Sequence, residues 1–137
     1  MENKTIRIAL MYDFDKTLCA KDMQEYSFIP SIGMESNEFW SEANRISVKN
    51  GMDRILAYMY LMMKLAKKKD LPITKQSFQD LGKDVILYKG VKTWFKRINA
   101  FGKSLGVEIE HYIISSGLRE IIEGTPKTRT SFPNAWV

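Results

Sequence analysis

The feature that most constrains this chain is a short apolar run that ends in two carboxylates. The run IRIALMY occupies Ile6–Tyr12, and DFDKTL follows it at Asp13–Leu18. A continuous apolar and β-branched run is typical of a central parallel strand, because helices cover both faces of such a strand. Carboxylates at the carboxyl end of a parallel strand lie at the ligand crevice of an open sheet. The run therefore predicts an α/β fold with Asp13 and Asp15 at its ligand site.

The spacing of Asp13 and Asp15 fits phosphate chemistry. The two residues stand two apart, so both can turn toward one small volume if the backbone curls out of the strand. Hard cations such as Mg²⁺ prefer oxygen ligands. One carboxylate can attack phosphorus and form an acyl phosphate, and a second carboxyl can deliver a proton to the leaving oxygen. The alternative is an ordinary acidic turn on solvent, with Thr17 as a helix cap.

DFDKTL after a hydrophobic strand resembles DxDxT, the first motif of the haloacid dehalogenase-like (HAD) superfamily of phosphohydrolases. The resemblance implies a Rossmann-like core of parallel strands with an inserted helical cap. It implies that Asp13 is the nucleophile and Asp15 the acid/base. It also implies a Mg²⁺ ion held by Asp13 and by the backbone carbonyl of Asp15, with the Thr17 hydroxyl holding the loop around the phosphate.

A second polar cluster follows the strand-like segment 107–114, VEIEHYII. Ser115, Ser116 and Gly117 come directly after it, and a hydroxyl with free N–H groups at a helix start is a phosphate-binding arrangement. IISSG resembles the second motif of the phosphoserine phosphatase branch, which implies that Ser115 holds the phosphate, with Ser116 and Gly117 beside it. The alternative is that a serine merely caps the helix. His111, inside the strand, is expected to be a hydrogen-bonded structural histidine.

Helical periodicity fills most of the segment between the two motifs. We expect four helices there, one from Asp22 that Pro30 ends, one at 38–49, one at 52–69 and one capped by Thr74. The block resembles the helical cap of many HAD members. The expected division is a partial core at residues 1–18 and 88–124, a cap at 19–87 and an irregular tail at 125–137. Four methionines of the block are expected to be core filler rather than a substrate surface: Met52, Met59, Met62 and Met63.

Asp22 has two possible roles. It stands nine residues after Asp13, where phosphoserine phosphatases carry an acidic residue that receives the ammonium group of the substrate. It also begins a D-x-x-E capping box with Glu25, and this structural role is the leading expectation.

Charge and composition narrow the range of partners that we expect for this chain. Twenty-one Lys and Arg against sixteen Asp and Glu give a net charge of +5, which favours anionic ligands. We expect a small phosphorylated metabolite. Nucleic-acid binding through Lys67–Lys69 is an alternative, although a charge run at a helix end is usually a solvated face. Cys19 is the only cysteine, which is typical of a reducing, cytoplasmic setting. No apolar run approaches the ~20 residues that span a bilayer.

The HAD superfamily also uses a third motif, a lysine, and a fourth motif of aspartates that complete the metal site. Gly124–Val137 contains neither Asp nor Glu, and Lys127 is its only lysine. The resemblance therefore covers Ile6–Gly124. It implies the N-terminal portion of a Mg²⁺-dependent phosphomonoester hydrolase, weakly active or inactive alone. A phosphate-binding remnant without turnover is the alternative.

Overall fold

A computed structural model describes residues 6–126 of the chain. Within them the fold is mixed α/β, with a two-stranded parallel sheet and a large helical block. The elements are β1 Ile6–Tyr12, a 3-10 turn Met23–Glu25, α1 Phe28–Ser31, α2 Ser36–Asn50, α3 Arg54–Lys68, α4 Lys75–Gly82, α5 Val91–Ser104, β2 Val107–Ile113 and α6 Arg119–Gly124.

The two predicted strands pair in parallel, as expected. The register runs from Ile6 opposite Val107 to Tyr12 opposite Ile113. One residue further, the Ile114 N–H donates to the Tyr12 carbonyl at 2.8 Å. The chain segments that follow Tyr12 and Ile113 therefore leave the same end of the sheet side by side.

The expectation that helices cover both faces of β1 is wrong within residues 6–126. Ile6 is 64% exposed and Met11 66% exposed. Among residues 6–126, β1 pairs only with β2, and the helix next to the sheet, α5, packs on β2. At the end of β1, the rings of Tyr12 and Phe95 meet edge to face, 5.7 Å apart.

The long helices of the block begin and end at recognisable signals. Asp53 caps α3, with its carboxylate accepting the N–H groups of Ile55 and Leu56. Gly51 ends α2 with a left-handed φ of 59°, a conformation that costs glycine little. Thr74 caps α4, as predicted, by accepting the Ser77 N–H at 3.1 Å. The helix boundaries therefore follow local sequence chemistry.

The first short helix departs from the prediction. Pro30 was expected to end a helix, but it is the third residue of α1. The first turn of a helix has no intrahelical partner for its N–H groups, so proline is tolerated there.

The helical block has its own core. It forms around Phe28, Phe39, Leu61 and Met62. Met52 and Met59 pack against this core, which confirms the filler role for three of the four methionines. Met63 is exposed, so the same prediction is wrong for it. None of the helices in residues 6–126 is both long and apolar enough to cross a membrane.

The helical block leaves the sheet layer and returns to it at one place. Cys19, just past the first loop, forms an antiparallel bridge with Leu87, and the Tyr88 N–H donates to the Leu18 carbonyl at 2.9 Å. The two ends of the helical block therefore lie side by side. Its last helix, α4, also packs closely against α6.

Candidate functional site

The loop after β1 presents two carboxylates because the residue between them is buried. Phe14 is 0% exposed and belongs to the core beneath the sheet. Its carbonyl accepts the Leu18 N–H at 2.9 Å, which winds the loop tightly around it. Lys16 adopts a left-handed φ of 59° and turns the chain back. Asp13 is exposed and Asp15 is partly exposed, on either side of the buried Phe14 in the sequence.

The Asp13 carboxylate is held by its own loop. Its Oδ1 atom accepts the Phe14 N–H at 2.8 Å, and its Oδ2 atom accepts the Thr17 hydroxyl at 3.3 Å. Thr17 therefore orients Asp13 instead of capping a helix. A carboxylate oxygen accepts more than one hydrogen bond, so both atoms keep capacity for a ligand.

Asp15 has a raised pKa. The value rises from 3.8 to about 7, chiefly because the carboxyl is buried and in smaller part because the Asp22 and Asp13 carboxylates lie nearby. The Met23 N–H, which donates to Asp15 Oδ1 at 2.7 Å, opposes this rise. A carboxyl with a pKa near 7 carries its proton for much of the time at neutral pH and can donate it.

The loop after β2 lies beside the Asp13 loop. Ser115 follows Ile114, and its hydroxyl oxygen accepts the Gly117 N–H at 3.0 Å. The carbonyl of Ser116 accepts the Tyr58 hydroxyl at 2.6 Å. α6 begins at Arg119, with Leu118 in the cap position, so neither serine caps it. The capping alternative for Ser115 and Ser116 is therefore wrong.

Gly117 packs closely against the side chain of Met23. A Cβ atom there would lie 2.0 Å from Cε of Met23. Met23 is the residue whose N–H donates to Asp15, so Gly117 fits directly against the segment that supports the acid.

A cavity of about 320 Å³ opens next to these loops. Asp15 and Ser116 line it from the two loops, and Arg54 and Tyr58 line it from α3. Asp22 and Gln24 also line it. The cavity therefore connects Asp15 and Ser116 with the helical block, whereas Asp13 and Ser115 are not among the residues that line it.

Asp22 does not form the expected capping box. It precedes the 3-10 turn Met23–Glu25, but its side chain accepts no hydrogen bond from that turn. Its Oδ2 atom accepts the Lys16 ammonium group at 2.6 Å instead, because a charge-assisted hydrogen bond is stronger than one from a neutral N–H. The carboxylate lines the cavity, and its role in substrate choice remains a prediction.

The first loop contains two oxygen groups of the kind that bind Mg²⁺. The described residues contain no group of three or more His, Cys, Asp and Glu side chains that could hold a metal. Mg²⁺, however, commonly takes one or two carboxylates and fills its shell with water and phosphate oxygens. The Asp13 carboxylate and the Asp15 carbonyl are oxygen donors of that kind.

His111 and Cys19 take structural roles. His111 is buried and hydrogen-bonds Tyr12 at 3.0 Å and Asn99 at 2.8 Å, as predicted. Burial lowers its pKa, which keeps the ring neutral. Burial also raises the pKa of the Cys19 thiol to about 11, so it is a poor nucleophile.

The sequence did not predict several residues that line the cavity, among them Gln24, Arg54 and Tyr58. Arg54 and Tyr58 lie on α3, where the sequence shows only the ordinary periodicity of a helix. Nothing in that pattern indicates that they line a cavity. Gln24 follows Asp22 by two residues, but nothing local marks it as buried. Only the packing of the helical block against the sheet brings them to Asp15. Lys127 and most of the predicted tail 125–137 lie outside the described residues.

No protein-family model matches the chain. An uncharacterized protein of Borreliella burgdorferi is 30% identical to it over 128 residues, which cover 86% of this chain and 45% of that protein. The chain thus spans less than half the length of this relative.

Proposed function

We propose that the chain carries the nucleophile, the acid and the phosphate cradle of a Mg²⁺-dependent phosphomonoester hydrolase of the HAD type. One observation carries the proposal. The Asp13–Thr17 loop and Ser115 leave the same end of two paired parallel strands, beside a cavity lined by Asp15 and Ser116. Polar groups at the carboxyl ends of neighbouring parallel strands are the usual position of a ligand site in an α/β sheet.

Asp13 is proposed as the nucleophile. A carboxylate oxygen of Asp13 attacks phosphorus, and the bond from phosphorus to the ester oxygen breaks, leaving an acyl phosphate. The Asp13 carboxylate accepts hydrogen bonds from the Phe14 N–H and the Thr17 hydroxyl. These bonds limit the rotation of the Asp13 side chain and so reduce the entropy lost on reaching the transition state.

Asp15 is proposed as the acid and then the base. Its proton passes to the leaving ester oxygen, which departs as an alcohol. The resulting carboxylate then accepts a proton from the water that attacks the acyl phosphate and releases inorganic phosphate. A pKa raised to about 7 suits both directions near neutral pH.

Ser115, Ser116, Gly117 and Thr17 are proposed to surround the phosphate. The Ser115 hydroxyl accepts the Gly117 N–H, so its own proton is available for a phosphate oxygen. When bound, Mg²⁺ would supply positive charge that draws the phosphate and Asp13 together, with Asp13 and the Asp15 carbonyl as its protein ligands.

The organic part of the substrate is proposed to occupy the cavity. Arg54 supplies a cation at its wall, and no ion pair involves Arg54 in the part of the chain that the structure describes. Asp22 supplies an anion partly neutralised by Lys16. These charges favour a small phosphorylated metabolite with further polar groups.

A chemical trap tests the proposal without requiring turnover. The purified chain is incubated with p-nitrophenyl phosphate and Mg²⁺, quenched in acid and treated with borohydride, which reduces an acyl phosphate to an alcohol. We expect mass spectrometry to find the reduced side chain at Asp13 in the wild type and nowhere in Asp13→Asn. Asp84→Asn is the matched control, since Asp84 lies outside the cavity lining and should leave labelling unchanged.

Two results would contradict the proposal in different ways. Labelling that persists in Asp13→Asn would exclude Asp13 as the nucleophile. Phosphate binding at this site with no label on any aspartate would instead identify the non-catalytic phosphate-binding alternative.

A further inference from the structure

The cavity wall contains a buried hydrogen-bond acceptor without a partner. Gln24 is 2% exposed, and its Oε1 atom is the single buried side-chain nitrogen or oxygen in residues 6–126 that lacks a hydrogen bond. Buried polar groups are almost always paired, so an exception requires an explanation. The same side chain lines the cavity beside Asp15.

The orientation of the Gln24 amide is fixed by its neighbour. The Tyr58 hydroxyl donates its only proton to the Ser116 carbonyl at 2.6 Å, so its oxygen is left as an acceptor. Burial raises the pKa of Tyr58 to about 12, and an interaction with the Gln24 side chain opposes this rise, as expected when the Nε2 donor faces the phenol oxygen. Turning the amide over would set two acceptors against each other, so the unpaired atom remains Oε1.

A purely structural role does not account for this arrangement. Leucine or methionine would fill a similar volume without burying an unpaired carbonyl. The amide is useful where a donor arrives from outside the protein. The cavity beside it is large enough for a small organic group, and it begins at the acid that would protonate the leaving oxygen.

We infer that Gln24 is a specificity residue whose Oε1 atom accepts an O–H or N–H donor on the organic part of a phosphomonoester bound in the cavity. This inference rests on the proposed function. Oε1 is covered in the ligand-free arrangement, so neighbouring side chains must shift when the ligand enters. The residue then selects esters that carry a donor over purely alkyl esters.

The test compares two esters of similar size, glycerol 3-phosphate and propyl phosphate, which differ in two hydroxyl groups. Their dissociation constants are measured calorimetrically with the whole chain and Mg²⁺. Because one net hydrogen bond changes affinity by roughly 3- to 10-fold, we expect the wild type to prefer glycerol 3-phosphate by about that factor. Gln24→Met should bring the preference close to one and leave the affinity for inorganic phosphate unchanged.

Two further variants keep the result interpretable. Gln79→Met alters another buried glutamine, whose amide donates to Glu123 outside the cavity lining, and should retain the preference. If Gln24→Met folds poorly, Gln24→Leu also removes the acceptor oxygen and should show the same loss of preference.

The inference and the proposed function fail differently. Suppose that inorganic phosphate binds and that Ser115→Ala weakens this binding. If the two esters nevertheless bind the wild type equally, Gln24 is paired by a fixed water molecule and the inference is overturned. An equal preference in wild type and Gln24→Met also overturns it. If inorganic phosphate binding does not depend on Ser115, the proposed function itself fails and the inference falls with it.

Discussion

Replacing Asp15 by asparagine should stabilise the fold and flatten its pH dependence. In the unfolded chain this carboxyl ionises near its ordinary pKa of 3.8, whereas burial in the folded chain keeps it protonated up to about 7. Between these values the folded chain binds more protons than the unfolded chain. The free energy of unfolding therefore falls as the pH rises from about 4 to about 7 and is fully reduced above that.

The size of the effect follows from the change in pKa. At 1.36 kcal/mol per pKa unit, the rise from 3.8 to about 7 corresponds to about 4 kcal/mol. The carboxyl is partly exposed and water screens it, so we expect about 1–2 kcal/mol to be realised. Asp15→Asn keeps the shape and an oxygen that accepts the Met23 N–H, but carries no charge.

The effect of Asp15→Asn on the free energy of unfolding is measured by urea unfolding, followed by circular dichroism at a series of pH values from 4 to 8. The difference between Asp15→Asn and the wild type should grow with pH across that window and reach about 1–2 kcal/mol at pH 8. Asp84→Asn is the control for general charge effects. A constant difference between the two curves, or a variant that becomes relatively less stable as the pH rises, would refute the raised pKa.

Three further substitutions test separate parts of the site and fold. Gly82→Ala should destabilise the chain by about 1–3 kcal/mol in urea unfolding, because its Cβ would lie 2.1 Å from the Ile121 carbonyl oxygen; a neutral effect would contradict the close α4–α6 contact. Asp22→Asn should change stability by less than about 1 kcal/mol, since Lys16 is largely exposed, yet reduce the preference for amine-bearing phosphate monoesters in a calorimetric binding series; equal losses for all esters would rule out a specificity role. Asp13→Asn should keep the far-ultraviolet circular dichroism spectrum of the wild type while abolishing the borohydride-trapped product.

Local patterns in the sequence predict the elements that depend on neighbouring residues. The apolar run predicts that Asp13 and Asp15 follow the end of β1, and Thr74 marks the start of α4. The apolar runs that become β1 and β2 predict their parallel pairing, because each is followed by a polar loop. These features need only short-range chemistry and side-chain periodicity.

Such local patterns do not predict contacts between segments that are distant in the sequence. The capping box predicted at Asp22 does not form, because the Asp22 carboxylate accepts the Lys16 ammonium group instead. Lys16 has a left-handed φ, which turns the loop back toward Asp22. The exposure of Ile6 follows from how many elements pack on β1, which a strand pattern does not encode. The cavity wall formed by Tyr58 requires α3 to lie against the β2 loop, a contact between residues far apart in the chain.

The most direct measurement of the central claim is a phosphate titration followed by nuclear magnetic resonance. With Mg²⁺ present, inorganic phosphate added to the ¹⁵N-labelled chain should shift the backbone amides of residues 13–17 and 115–118 and leave those of α5 unchanged. Ser115→Ala should weaken these shifts, whereas Ser104→Ala, which removes an exposed hydroxyl on α5, should not. Shifts centred on the Lys67–Lys69 surface, or unaffected by Ser115→Ala, would contradict a phosphate site at the ends of β1 and β2.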